Sequence, residues 1–300
     1  MQHKFMLQPY KGMKTRYTCP HCRQTKAFTR YINTETQEHL AEYVGRCNRE
    51  VKCGYHYTPK QYFQDNPVPI KQGIPERPVR QTPPSYIDRE LFKGSLQAFE
   101  TNHLITFLSH VLGQSTAYQL AEKYFIGSSR HWPGATVFWQ LDKKLRIRAG
   151  KIMLYNPTNG KRVKEPFSHI TWVHRVLNLP DFNLQQCFFG EHLLAQPTRQ
   201  VAIVESEKTA LIAHAYEPNF IWLASGSLSN LTHEKCKVLQ GRKVYLFPDI
   251  NATDKWRLKA AELSSITRFI VSDELENIAT DEDRQQGLDL ADYLLRTERG

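Results

Sequence analysis

Val201-Ala-Ile-Val-Glu205-Ser-Glu207-Lys208-Thr-Ala-Leu-Ile-Ala213 decides how the chain is read. It opens with an apolar run too short for a helix, rich in the β-branched residues of a strand buried on both faces. An acid, Glu205, stands where that strand ends, and a helix-forming run from Lys208 to His214 follows without a gap. Ligands of open α/β sheets sit just beyond the carboxyl ends of strands, so Glu205 is expected to point at one. The pattern returns as Arg242-Lys-Val-Tyr-Leu-Phe-Pro248-Asp249-Ile-Asn251, followed by a helical run from Asp254 to Leu263. Two such strands side by side would let Glu205 and Asp249 share a hard cation such as Mg2+, which takes one or two carboxylates plus substrate phosphates. Each acid also has a plainer reading: Glu205 as a solvated strand-end charge or helix cap, Asp289 and Asp292 as exposed charges opening a terminal helix.

Outward from these strands, Phe220–Ala224 reads as a further strand. The small-residue turn Ser225-Gly226-Ser227 follows it and admits a phosphate closely. Thr267–Val271 is a fourth strand, and Gly287 to Arg296 closes with a helix. The succession of strand-Glu205, Gly226 after a strand, strand-Pro-Asp249-x-Asn251, then Gly287-Leu-Asp289-Leu-Ala-Asp292-Tyr-Leu resembles the Toprim domain of primases. With a cysteine cluster at the front, the arrangement is similar to bacterial and phage primases, closest to primase-like proteins of Bacteroidetes mobile elements. The resemblance covers about residues 200–295 and, more loosely, the cysteines. It implies Glu205, Asp249, Asp289 and Asp292 as catalytic acids and Mg2+ or Mn2+ as cofactor. Glu205, Asp249, Asn251 and Asp254 are the expected magnesium ligands; the family carries a second Asp where this chain has Asn251, and Asp254 three residues on is a partial substitute. Lys208, Gly226 and Lys255 are the expected phosphate contacts.

At the front, Cys19-Pro-His-Cys22 is a tight knuckle and Cys47-Asn-Arg-Glu-Val-Lys-Cys53 a looser one. Four cysteines in two clusters of a chain read as cytoplasmic point to one structural Zn2+ rather than disulfides. The loose second knuckle leaves His21 or His56 open as a replacement ligand. Strands over Ala27–Asn33 and Leu40–Gly45 would complete a zinc ribbon. Its cations, Arg30 and Arg49 among them, are interleaved with Tyr17, Tyr31 and Tyr55, as single-strand binding asks. Phe28 and Tyr43 read better as the module's small core. Cys187 and Cys236 read as packing residues.

The 300 residues carry a net charge of +10, distributed as +7 over residues 1–60, +7 over 61–200 and −4 over 201–300. A basic body with an acidic last third fits a protein that grips a polyanion while carboxylates handle cations. No apolar run approaches the roughly eighteen residues of a spanning helix, and the mean hydropathy is −0.54. The front lacks the apolar core of a signal peptide. Residues 64–84 are proline-rich and aperiodic, a linker. Helices are expected at Asp88–Gly94, Asn102–Gly113 and, capped by Ser115, Thr116–Tyr124. Strands follow at Ala135–Asp142 and Leu145–Tyr155. In the latter Leu145, Ile147 and Ala149 alternate with Arg146, Arg148 and Gly150, predicting one apolar and one basic face. Arg146, Arg148, Lys151, Lys161 and Arg162 are therefore the expected nucleic-acid contacts.

The expected architecture is mixed α/β in four parts: a zinc ribbon over 1–63, a linker over 64–84, a basic subdomain over 85–199 and a Toprim-like sheet over 200–300. The expected activity is Mg2+-dependent synthesis of RNA primers from nucleoside triphosphates on single-stranded DNA, beside a separate replicative helicase and away from any membrane. No Gly-x4-Gly-Lys-Ser/Thr occurs, which excludes an ATP-driven motor within these residues. A catalytically weakened DNA-binding accessory, favoured by Asn251, and a small Toprim nuclease are the alternatives.

Overall fold

Alternate residues of Val201–Val204 face different cores, because a parallel strand between two layers must satisfy both. The computed structural model describes residues 4–49, 52–66, 83–196 and 200–297, so most of the proline-rich stretch 64–84 lies outside the described residues. The chain forms two compact units, Met1–Arg80 and Gln81–Gly300.

In the first unit β1 (Phe5–Leu7), β2 (Phe28–Asn33), β3 (Gly45–Cys47) and β4 (His56–Tyr57) form an antiparallel sheet in that order, followed by α1 (Pro59–Asp65). The strand expected at Leu40–Gly45 is displaced. Residues 41–43 turn, with bonds to Tyr31 from either side of the turn, and pairing resumes only at Gly45. Gly45 is required there, since a Cβ would meet the Thr29 carbonyl at 2.2 Å. Phe28 is fully buried with Cys19 and Cys47, whereas Tyr43 is exposed.

The second unit begins with α2 (Arg89–Ser95), α3 (His103–Leu112) and α4 (Gln114–Lys123). Asp88 and Asn102 cap α2 and α3 through their side chains. Gly113, not Ser115, precedes α4. An antiparallel sheet follows: β5 (Ile126–Ser129), β6 (Ala135–Leu141), β7 (Ile147–Met153) and β8 (Ile170–Trp172), leading into α5 (Val173–Val176). All seven residues of β6 are buried, because both faces of this sheet are covered. One face joins α3 and α4 through Phe138 and Met153; the other packs Val137, Trp139, Ile147 and Ile152 against Ile87 and Val173. The predicted division into an apolar and an open basic face therefore fails. Leu145 is exposed in the β6–β7 turn at φ 57°, and the strand starts only at Ile147.

The last third alternates β9 (Val201–Val204), α6 (Glu207–Tyr216), β10 (Ile221–Ala224), α7 (His233–Cys236), β11 (Lys243–Leu246), α8 (Thr253–Glu262) and β12 (Arg268–Val271). Short helices α9 (Glu274–Ile278) and α10 (Asp281–Gln286) precede α11 (Leu290–Thr297). The four strands are parallel in the order β10-β9-β11-β12. Ala202 and Val204 share a core with α6, α4 and β6, while Val201 and Ile203 pack with Val244, Leu246 and Trp256 on the opposite face. Phe189 bridges to Ala224, so the stretch before β9 leads onto the edge of this sheet. The chain leaves β9 toward β10, then returns across to β11. The reversal opens a crevice beyond the carboxyl ends of β9 and β11, where α/β sheets bind ligands.

Candidate acid site and zinc centre

Glu205 follows β9 directly, and its carbonyl accepts the Gly226 N–H at 2.8 Å, locking the turn after β10 beside it. Asp249 follows β11 two residues after Phe247, whose N–H still bonds the Ile203 carbonyl at 2.9 Å. Both acids thus come to the switch point between β9 and β11. Asp289 and Asp292 arrive from the start of α11, which packs on α6. Each receives the other's backbone N–H, at 3.1 and 3.0 Å, a reciprocal cap that holds both carboxylates. Asp289 Oδ2 also accepts the Thr209 hydroxyl at 2.6 Å. Both acids open α11, as the plainer reading has it, but they are half-buried rather than exposed.

Electrostatics show the crowding. Burial first, then Asp289, Glu205 and Asp292, push the Asp249 carboxyl up to about 7. Burial and Asp289 raise Asp292, opposed by Lys208 in the first turn of α6. The charges acting on Asp249 are all carboxyls and Lys208 opposes them at Asp292, so an added cation would be favoured there. Oxygen donors of this kind suit Mg2+ or Mn2+. Among the described residues only the four cysteines gather three or more ligand atoms within 4.8 Å of one another. The four acids do not gather into such a set.

Not every residue expected here arrives. Asp254 lies on the exposed side of α8, paired with Arg257 at 3.1 Å, and Lys255 is exposed beside it. The helix begins at Thr253 and carries both away from the crevice. Asn251 adopts φ 67°, a left-handed conformation that Asn tolerates. Its Nδ2 donates to the Arg284 carbonyl at 2.9 Å and its N–H to Glu276 Oε2 at 3.0 Å. The side chain ties the loop to α10 and the backbone N–H ties it to α9. Gly226 sits at φ 81°, where any side chain would strain the backbone.

The expected nucleic-acid cations divide. Arg146 pairs with Asp142 at 2.7 Å; Arg148 reaches the same carboxylate at 3.6 Å and donates to the Gln185 carbonyl at 2.9 Å. Lys151 Nζ lies 3.0 and 3.1 Å from the two oxygens of Glu207, a pair with side chains only 13% and 3% exposed. Lys151 is thus neutralised inside the fold, while Arg148 and the more exposed Arg146 share the single Asp142 carboxylate; Lys161 and Arg162 remain exposed in the β7–β8 connection. Sequence reasoning missed Glu207 and Thr209 as partners, although both lie in the quoted stretch and Thr209 follows Glu205 by one helical turn. Nothing in the sequence pointed from Lys151 to Glu207.

In the first unit Cys19, Cys22, Cys47 and Cys53 bring their sulfurs within 4.8 Å of one another, with Cys19–Cys53 at 3.8 Å and Cys22–Cys47 at 3.9 Å. A tetrahedron with Zn–S bonds of about 2.3 Å has edges near 3.8 Å, so four thiolates fit one zinc. No histidine is needed as a ligand. His21 stacks on Tyr55 with Nδ1 3.5 Å from Cys53 Sγ, a position to orient the thiolate, and His56 stacks on Tyr31 and bonds its hydroxyl at 2.9 Å. Arg49 points a guanidinium at Cys22 Sγ from 3.9 Å, and Arg30 lies over the Tyr17 ring at 4.1 Å. Both are partly engaged within the ribbon.

A family model described as a domain of unknown function, DUF6371, matches residues 102–250, and one described as a zinc beta-ribbon finger matches residues 3–68. No curated protein matches the chain. Among solved structures the chain is similar to the primase fragment of the bacteriophage T7 primase-helicase protein, with 12% identity and a TM-score of 0.36, over 91% of this chain and 98% of that one. It is similar to the E. coli primase catalytic core at 12% identity and a TM-score of 0.41, over 69% and 81%. The RNA polymerase domain of the Mycobacterium tuberculosis primase gives 11% identity and a TM-score of 0.40, over 69% and 84%. The chain is a mixed α/β protein with an N-terminal zinc ribbon, and primase catalytic cores stand among its structural neighbours.

Proposed function

We propose that the chain is a primase-like protein that performs Mg2+-dependent nucleotidyl transfer, building RNA primers on single-stranded DNA. One observation carries this reading: at the switch point of a parallel sheet, burial and the neighbouring Asp289, Glu205 and Asp292 push the Asp249 carboxyl up to about 7. Glu205 and Asp249 would hold Mg2+ or Mn2+ directly, with the capped Asp289–Asp292 pair supporting them. When bound, the ion supplies charge neutralisation to phosphate oxygens during in-line displacement. The chain's own groups do the rest. Lys208 and the α6 N-terminus offer positive charge to a triphosphate, and the Gly226 turn lets it approach. Asp249 would have to be ionised to hold the cation, so its raised value would make cation binding stronger as pH rises.

The zinc ribbon, residues 1–63 in this reading, would scan the template, with residues 85–199 as the basic subdomain and 200–300 as the Toprim-like part. A separate helicase would supply the single strand. Primer synthesis from nucleoside triphosphates on single-stranded DNA tests the proposal: wild type is expected to make magnesium-dependent products, and Glu205→Ala and Asp249→Ala to make none.

Asn251 favours a second reading, a DNA-binding accessory that keeps the fold without the chemistry. Its side chain is committed to Arg284, so position 251 brings no donor to the crevice. If wild type and both variants bind DNA alike and none makes primers with Mg2+ or Mn2+, that reading replaces the first.

A further inference from the structure

The loops at one end of the antiparallel sheet carry a feature that the acid site does not use. The β7–β8 connection includes the buried Tyr155, which lies within electrostatic reach of Glu207, Arg162 and Asp289. Its outer part, residues 164–168, is pinned at the base: the His169 N–H bonds the Val163 carbonyl at 3.2 Å, and the Leu154 N–H bonds the His169 carbonyl at 3.2 Å. Phe167 stacks on His169 with ring centroids 4.4 Å apart and planes 19° apart. Trp132, from the β5–β6 turn at the same end, meets His169 edge-on at 5.0 Å. His169 and Trp132 therefore form a rigid backing, yet Phe167 is 55% exposed. Trp132 also approaches Phe167 itself, with ring centroids 6.5 Å apart and planes at 50°, and the two neighbours together still leave more than half of the residue open to solvent.

The surroundings are basic. Arg130, Lys161, Arg162 and Lys164 are exposed in these two loops, and Glu165 is the one acid within residues 130–134 and 156–169. None of the four cations has an ion pair among the described residues, unlike Arg146, Arg148 and Lys151. A flat ring held from behind, on loops that also carry exposed cations, is the arrangement that binds unpaired bases. Every base has a π-face to stack, and its phosphate needs a cation nearby. Bases within a duplex are already stacked and offer no face.

We infer that Phe167, backed by His169 and Trp132, is a stacking platform for a base of single-stranded nucleic acid whose phosphates are met by Arg130, Arg162 and Lys164. It deepens the proposed function and rests on it for the strand's role, though not for the binding itself.

Fluorescence anisotropy of the full chain with labelled oligothymidylate and oligouridylate, without divalent cation or nucleotides, tests it. Phe167→Ala is expected to weaken single-strand binding roughly 5- to 150-fold, the range for losing one base–aromatic stack. Phe167→Trp is expected to restore it, and an oligomer with abasic sites to bind wild type as poorly as the alanine variant does. Arg162→Ala with Lys164→Ala should flatten the salt dependence. The DNA and RNA arms tell which strand the platform takes. Unchanged affinity in a Phe167→Ala protein of native circular dichroism would overturn the inference and leave the ring to a protein partner; equal weakening toward duplex would overturn it too. Phe167-dependent binding in a wild-type chain that makes no primers sinks only the synthesis reading. Primer synthesis beside normal Phe167→Ala binding sinks only the platform.

Discussion

Replacing Asp249 by asparagine probes the acid site through stability rather than chemistry. The Asp249 carboxyl is pushed from 3.8 to about 7, by burial first and then by Asp289, Glu205 and Asp292. A carboxyl whose value is higher in the folded than in the unfolded chain favours folding while protonated. It costs nothing below about pH 4; stability is lost as pH climbs from there to about 7, and the loss is constant above. Each tenfold mismatch is worth about 1.4 kcal/mol, so the ionised site costs about 4 kcal/mol at pH 8 and about 2 kcal/mol at pH 5. Asparagine cannot ionise. Asp249→Asn is therefore expected to be more stable than wild type at pH 8, by roughly 10 °C in Tm at about 2–4 °C per kcal/mol for a unit of this size, and by about half that at pH 5. Burial also pushes Glu191 up to about 7, so both acids shape the wild-type pH profile. The difference between the two proteins at each pH removes the Glu191 share. Millimolar magnesium should raise the wild-type Tm at pH 8 and leave the variant where it was. Scanning calorimetry at both pH values, with and without magnesium, measures all of this. A variant effect equal at pH 5 and pH 8, or a magnesium shift shared by both proteins, would refute the reasoning.

The Lys151–Glu207 pair makes a second prediction, because removing one member strands a buried charge. Lys151→Ala is expected to lose about 3–5 kcal/mol, and Lys151→Met with Glu207→Leu to recover most of it. Denaturant midpoints settle the point, and a Lys151→Ala chain that unfolds like wild type would show Lys151 to be free for a ligand. Asn251→Asp is expected to lose about 1 kcal/mol, since a carboxylate would face the Arg284 carbonyl beside Glu276. It should not tighten magnesium binding; calorimetric titration showing that it does would place position 251 at the ion after all.

Local pattern carried much of the reading. Val201–Val204, Ile221–Ala224 and Lys243–Leu246 are short apolar runs between helix formers, so their strands and parallel arrangement follow from residues a few positions apart. The Cys19–Cys22 knuckle and the second pair likewise specify a zinc centre through spacing. Strand-end acids are legible for the same reason: Glu205 and Asp249 each end an apolar run, and the crossover order brings both runs together. What the sequence left open was the fate of each charge. Arg146, Arg148 and Lys151 look the same on paper as Lys161 and Arg162, yet the first three are spent on Asp142 and Glu207. Lys151 and Glu207 stand 56 residues apart, and Thr209 and Asp289 stand 80 apart. A charge's worth depends on which partner the folded chain delivers and how much water it removes. Composition fixed the number of cations and acids in this protein; only the tertiary structure decided which remain available to a ligand, because pairing and desolvation are properties of contacts between segments distant in sequence.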